Sequence, residues 1–321
     1  MTSLRIATRR STLARAQASL VARALEAATG RPAELVPLAT TGDEHPDRAV
    51  EAFDAKGLFV DGVREAVLDG RAHCAVHSYK DLPTERVRGL LIGAVPARED
   101  PRDLLVTREG VRLAGLPRGA AVGTSSARRR AQLQRARRDL LVQPLRGNLD
   151  TRLRQVAEGD LDAVVVAVAG LARLGGTDLP LKGIAFEHGE LLHAPGQGAL
   201  AVECRDDDAE TIAALDAIED EPTRTFVRAE RAFLARLEGG CTAPIGAHAD
   251  LVEVDGGSRL ELLGMIADPS GTRMVRGSAQ AAPNDPELLG RTLAEDLLAR
   301  GGQEIVDRLR RTDYEVPMGG P

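Results

Sequence analysis

The stretch AVGTSSARRRAQLQRARRDLLVQPLRGNLDTRLRQVAEGDLDAVVVAV, residues 121–168, decides the fold. Ala121 to Gly123 is a short apolar strand, and the hydroxyls of Thr124, Ser125 and Ser126 open a helix behind it. Leu140 to Pro144 is a second strand, Asn148 starts a second helix, and the apolar run Ala163 to Val168 is a third strand. Strand and helix alternate at the spacing of a sheet covered by helices.

The same grammar appears upstream. Leu4 to Ala7 reads as a strand, and Ser11 or Thr12 caps a helix whose apolar positions Leu13, Ala16, Leu20, Val21, Ala24 and Leu25 keep helical spacing as far as Gly30. A strand at Glu34 to Leu38 follows. From Thr41 to Ala55 the chain is polar and without a period, as expected of a loop lying over a site. A helix from Phe59 to Leu68 and strands at His73 to His77, Leu90 to Val95 and Leu104 to Val106 complete the run. Two similar α/β lobes are therefore expected.

Downstream, Ala199 to Cys204 is a strand and Glu221 to Leu237 a helix that stops before Gly239-Gly240. Leu260 to Ala267 and Arg273 to Gln280 form a hairpin around Asp268-Pro269-Ser270-Gly271, followed by helix-forming sequence to about Arg311. This predicts a small α+β domain after a boundary near residue 217.

Composition narrows the function. At 321 residues the chain exceeds what one core uses. Aromatic residues are only 2% with no Trp, which removes the stacking platforms of single-strand nucleic-acid binders. A net charge of -6 argues against a general polyanion binder, so any anion site must be local. Cys74, Cys204 and Cys241 are widely spaced with no CxxC pair, which fits neither a disulfide framework nor a zinc site, and no metal is expected. The N-terminus MTSLRIATRR reaches charge before an apolar signal region forms, and the longest apolar run, Ala163 to Ala172, is too short to span a bilayer. A cytoplasmic protein without membrane or nucleic-acid partner is expected.

The chemistry sits where predicted strands end. Gly123 to Ser126 places free backbone N–H groups at a helix N-terminus, where the dipole favours an anion. Arg128, Arg129 and Arg130 in the first turn oppose that dipole unless they face solvent or hold an anion between them. Taken alone they read as a solvated arginine face. However, Arg146 also ends a predicted strand, Arg152 lies in the next helix, and Arg173 follows the strand at Ala163 to Val168. Ligands of open α/β sheets bind outside the carboxyl ends of the strands, so these residues should converge on one cleft, where arginine forks read carboxylates.

Lys80 and Asp81 end another apolar strand in the same way. A carboxylate among cations stays ionised and can steady positive charge on a nitrogen heterocycle or shuttle a proton; the competing reading is a surface ion pair. His77 reads as packed. Cys241 lies on a glycine- and proline-bounded loop after a helix, which exposes its sulfur to covalent chemistry, whereas Cys74 and Cys204 lie inside apolar strands.

Nine segments in order carry a resemblance: IATRRS, KGLF, HSYKDLP, EDPRD, GTSSARRR, LRGNLDTRL, AVAGLARL, PGQGA and EGGCTAPIGA, from residue 6 to 247. Each alone is weak, but their common order is specific. The chain resembles the hydroxymethylbilane synthase (porphobilinogen deaminase) family. The resemblance implies two periplasmic-binding-protein-like lobes, with the chain crossing back to the first, and a third small α+β domain carrying a cofactor cysteine. The expected division is residues 1–96 with 197–217, residues 97–196, and residues 218–321.

It further implies a monomeric transferase that deaminates porphobilinogen and joins four molecules on a dipyrromethane held by Cys241 through a thioether, releasing hydroxymethylbilane for tetrapyrrole synthesis. By the same resemblance Asp81 contacts pyrrole nitrogens. Lys80, Thr124, Ser126, Arg128, Arg129 and Arg146 hold the cofactor's carboxylates, Arg9, Ser11, Arg152 and Arg173 those of the substrate, and Gln17 and Lys56 act on the lid side. Thr12, Tyr79 and the stretch from Glu44 to Asp54 depart from the family pattern. The rivals are a non-catalytic two-lobed binding protein for a polyanion, a nucleic-acid module on Arg128 to Arg138, and a hydrolase on Ser78 and Lys80.

Overall fold

A computed structural model describes residues 3–38, 60–145, 147–237, 243–254 and 256–311. In chain order the elements are β1 (Leu4–Arg9), α1 (Thr12–Thr29), β2 (Ala33–Leu38), α2 (Asp61–Leu68), β3 (Cys74–Ser78) and β4 (Leu90–Ala94). After a crossing come β5 (Asp103–Thr107), β6 (Ala121–Gly123), α3 (Ala127–Ala136), β7 (Leu141–Gln143), α4 (Leu149–Glu158), β8 (Ala163–Ala167), α5 (Val168–Arg173) and β9 (Lys182–Ala185). The chain then returns through β10 (Leu200–Arg205), α6 (Ala209–Asp216) and α7 (Glu221–Arg236), and continues into β11 (Ile245–Val254), β12 (Gly257–Ala267), β13 (Met274–Ala281), α8 (Pro286–Leu297) and α9 (Gln303–Arg311).

Local chemistry sets the boundaries. Ser11 caps α1 by accepting from the Ala14 N–H, and Gly30 ends it in the left-handed conformation. Ser126 caps α3 and Asn148 caps α4 in the same manner. The buried face of α1, with Ala18, Val21, Ala22 and Leu25, packs with Leu4, Ile6 and Val202 of the first sheet. Leu105, Val122, Leu133 and Val165 fill the second lobe, and Phe233, Leu262, Ile266 and Leu293 the third core.

The first sheet has the order β2-β1-β3-β10-β4 and the second β7-β6-β8-β5-β9. In each, four of the five strands share one direction and one runs against them: β10 against β3 and β4, β5 against β8 and β9. The two lobes are therefore built alike, and β5 and β10 are equivalent strands, each laid down where the chain crosses from one lobe to the other. The two crossings run side by side. Glu99 N–H donates to the Gly198 carbonyl at 3.2 Å, and Gly198 at φ +84° sits so close to the Glu99 carbonyl that no side chain fits there.

The third sheet is antiparallel, β11-β12-β13, covered by α7 and α8. Gly264 lets β12 pass against the Phe233 ring, which an added Cβ would meet at 2.8 Å. The expected hairpin is thus two strands of three. The missing β11 turns Ala247 and Ala249 inward, residues too small to mark a strand by hydropathy. The fold class expected from the sequence, two α/β lobes and a small α+β domain, is the one found. The short α5 and α6 and strand β9 were not expected. Among the described residues no helix is long and apolar enough to cross a membrane.

Candidate functional site

The expected cleft lies where the carboxyl ends of β3, β6 and β8 face the crossing segments. After β3, Tyr79–Asp81 form one 3-10 turn. Tyr79 is buried beneath the Arg231 guanidinium, 4.7 Å from its ring centroid, and Arg231 also bonds the Tyr79 and Leu82 carbonyls. The turn presents Lys80 inward, its Nζ donating to Gln197 Oε1 at 3.1 Å, and leaves Asp81 exposed. Burial pulls the Lys80 ammonium down to about 8; the Asp81 and Asp103 carboxylates oppose the shift, and Arg129 and Arg128 add to it.

Asp103, the first residue of β5, is fully buried. It accepts from Arg128 Nη1 at 2.7 Å, from Arg129 Nε and Nη2 at 3.0 and 2.6 Å, and from Gln197 Nε2 at 2.8 Å. Burial alone would raise its pKa, but the two guanidiniums outweigh it and hold the carboxyl well below the usual range. Arg128 also donates to the Leu192 carbonyl and Arg129 to that of Val165, so both forks are fixed. Three cations, Lys80, Arg128 and Arg129, thus surround one buried carboxylate.

Further hydroxyls and cations stand at the same strand ends. Thr124 is buried, its Oγ1 accepting from the Ser126 N–H at 3.2 Å. Ser125 donates to the Leu145 carbonyl and accepts its N–H, which fixes the turn before α4 against that before α3. Arg152 donates to the Gly147 carbonyl and Arg173 to that of Gly198; burial lowers both guanidinium pKa values. In the first lobe Arg9 ends β1, and Ser11 caps α1 by accepting the Ala14 N–H, a role that uses its oxygen and not its O–H. Gln17 is buried, its amide exchanging hydrogen bonds with Ser78 Oγ at 2.8 and 3.2 Å. Lys56, Arg146 and Cys241 lie outside the described residues. Burial pushes the Cys74 thiol up to about 12 and that of Cys204 up to about 11, so both are unreactive.

Residues 4–213 match the family model described as porphobilinogen deaminase, dipyromethane cofactor binding domain, and residues 225–299 match porphobilinogen deaminase, C-terminal domain. A curated porphobilinogen deaminase from Nocardia farcinica is 49% identical, covering 99% of this chain and 92% of the relative. The chain belongs to the porphobilinogen deaminase family. Another porphobilinogen deaminase, from Acidothermus cellulolyticus, is 47% identical over 96% of this chain and 92% of its own. Among solved structures, the methionine binding protein MetQ is similar at a TM-score of 0.42 and 10% identity, over 69% of this chain and 92% of that one.

The donor set suits the cofactor that the porphobilinogen deaminase family model names. Dipyrromethane carries several carboxylates, and the cleft of this family member holds more buried cations than buried acids. An external anion is what the sequence pattern predicts for Arg128 and Arg129; their first partner is internal, Asp103, which a strand starting at Leu104 leaves outside. Gln197 was likewise missed, although both sit in quoted segments, EDPRD and PGQGA. A second missed group is the buried pair Arg98–Glu230, 2.7 Å apart. Glu230 on α7 also accepts from the N–H groups of Gly196 and Ala249, joining both crossings to the third sheet.

Proposed function

We propose that this porphobilinogen deaminase joins four porphobilinogen molecules head to tail on a dipyrromethane linked to Cys241, and releases hydroxymethylbilane. The observation that carries the reading is the shortage of buried acid around Lys80, Arg128 and Arg129. Asp103 neutralises one of three cations, and the charge left over is complementary to the acetate and propionate groups of substrate and product. The relatives at 49% and 47% identity support the same reaction.

When bound, dipyrromethane supplies the nucleophilic pyrrole carbon on which the chain grows. Lys80, Arg128, Arg129 and Arg146, with the hydroxyls of Thr124 and Ser126, hold its carboxylates. Arg9, Ser11, Arg152 and Arg173 take those of the incoming substrate, and Gln17 and Lys56 assist; Lys56 and the polar stretch from Thr41 to Ala55 lie outside the described residues. Asp81 accepts the pyrrole N–H and steadies positive charge at that nitrogen as ammonia departs from porphobilinogen. The exposed position of Asp81 next to Lys80 supports this role.

The reading includes three domains, residues 1–96 with 197–217, residues 97–196 and residues 218–321, a division that the three separate sheets support. It also includes a cytoplasmic monomer with no membrane or nucleic-acid partner, and the net charge of -6 supports the latter. The test is the intact mass of the denatured protein beside Cys241→Ala. An excess of two linked pyrroles, lost in the variant, is expected; an unmodified mass that persists after incubation with porphobilinogen would overturn the proposal.

A further inference from the structure

Outside the cleft, one group of side chains has no part in the proposed reaction. His188 and His193 lie on the segment returning from β9 to β10, and His248 on β11 of the third sheet. One ring nitrogen from each lies within 4.8 Å of the others, the only such metal-ligating cluster among the described residues. His188 stacks on His248 with centroids 3.6 Å apart, and His193 meets both edge-on.

The hydrogen bonds fix where the lone pairs point. His193 Nδ1 is 2.9 Å from the Ala194 carbonyl, which only accepts, so that nitrogen carries the proton and Nε2 is bare. His193 Nε2 lies 3.0 Å from His248 Nδ1, which donates to it in the metal-free protein; on binding, that proton moves to His248 Nε2 and frees the Nδ1 lone pair. His188 Nδ1 is buried with no hydrogen-bond partner among the described residues. A backbone carbonyl behind one imidazole, with nitrogens converging in front of it, is the outer-shell arrangement that orients metal-binding histidines.

His193 is fully buried, and His188 and His248 are partly buried. Three guanidiniums stand near: Arg98 and Arg102, paired with Glu230, Asp100 and Glu187, and Arg276, which donates to the His188 carbonyl; the Asp250 carboxylate acts on His248. Bonds of about 2.0–2.1 Å in a tetrahedral site set ligand nitrogens roughly 3.3 Å apart; the facing nitrogens of His193 and His248 are 3.0 Å apart, whereas the partly exposed His188, stacked on His248, has to unstack so that its in-plane lone pair points at the shared ion.

We propose that His188, His193 and His248 bind a divalent transition-metal ion, with Zn2+ as the best match to an all-imidazole set and a water in the fourth position. The ion ties the returning segment to β11. It lies one residue from Leu192, whose carbonyl holds Arg128, so it also braces a cation of the cleft.

The test uses tag-free holoprotein stripped with a chelator, then equilibrium dialysis against Zn2+ and an optical titration with Co2+. One saturable equivalent is expected, with visible Co2+ bands and no thiolate charge-transfer band. Affinity should fall at least tenfold in His188→Phe, which keeps the stacked ring, and in His248→Gln, which keeps an amide donor for His193. No saturable equivalent, a thiolate band, or unchanged affinity in both variants would overturn the site. Circular dichroism confirms the fold of each variant, and either one alone decides the matter should the other fail to fold.

Discussion

Asp103 and Glu203 stand on equivalent strands, β5 and β10, and both are buried carboxylates clasped by arginine. Their surroundings differ. Glu203 is bound by both arms of Arg64, at 2.8 and 2.7 Å, and lies 3.1 Å from His77 Nε2, all within the first lobe. Asp103 takes two arginines from its own lobe and Gln197 from the returning segment, and Gln197 accepts from Lys80 of the other lobe. The same device is a closed structural pair in one lobe and the centre of a cation excess in the other. Whether a buried acid builds a ligand site thus depends on how many cations it leaves unmatched.

The comparison breaks most sharply at Asp103. Asp103→Ala strands Arg128 and Arg129 without a counter-charge and should lower stability by about 3–5 kcal/mol in urea denaturation. A loss comparable to that of an ordinary surface substitution would mean that water already screens the pair. Asp81 supplies the opposite case, an acid outside the ion-pair network. Asp81→Asn should cut turnover by roughly 100- to 1000-fold with unchanged circular dichroism; near-normal activity would remove it from the chemistry.

Glu203→Gln sharpens the contrast from the other lobe, with about 1.5–3 kcal/mol of stability lost and kcat and KM per folded molecule unchanged. The pKa of Glu203, held at about 2 against an ordinary 4.5, sets the sign of its pH dependence. The stabilisation is fully present above pH 4.5 and is lost as pH falls through about 2, so the wild type should lose an acid-range advantage that the variant lacks.

Lys80 gives the smallest effect, with the same slope against pH but from a charge whose burial costs stability instead of one that supplies it. Its folded pKa of about 8 is below the ordinary 10.5, so between those values the unfolded chain binds more protons and the free protein gains stability as pH rises. Over the same window the ammonium is lost and carboxylate binding weakens, by roughly tenfold if one charge-assisted hydrogen bond is at stake. Lys80→Arg should flatten both profiles; a porphobilinogen KM that stays constant in the wild type from pH 7 to 9 would exclude Lys80 from anion binding.

Much of this was legible in sequence because local chemistry carried it. Ser11, Gly30, Asn148 and the hydroxyls before α3 mark helix ends within a residue or so of where they fall. Hydropathy, however, does not encode strand direction, so the antiparallel β5 and β10 could not be distinguished from their parallel neighbours. Buried acids look like surface acids in a chain this charged, which hid Asp103, Glu203 and Glu230. The histidine cluster was invisible for a related reason: His188 and His248 are far apart in the chain, and only the packing of β11 against the returning segment unites them.

The paired crossings also bear on how the chain is made. All five strands of the second sheet lie between residues 103 and 185, but in the first sheet β4 pairs with β10 alone. A nascent chain emerging from the ribosome therefore completes its inner lobe first, while β3 and β4 wait with bare edges until residue 200 follows. Limited proteolysis of the released chain truncated after residue 199 should cut within Leu90–Ala94 well before it touches the second sheet. The lobe synthesised first is the lobe finished second.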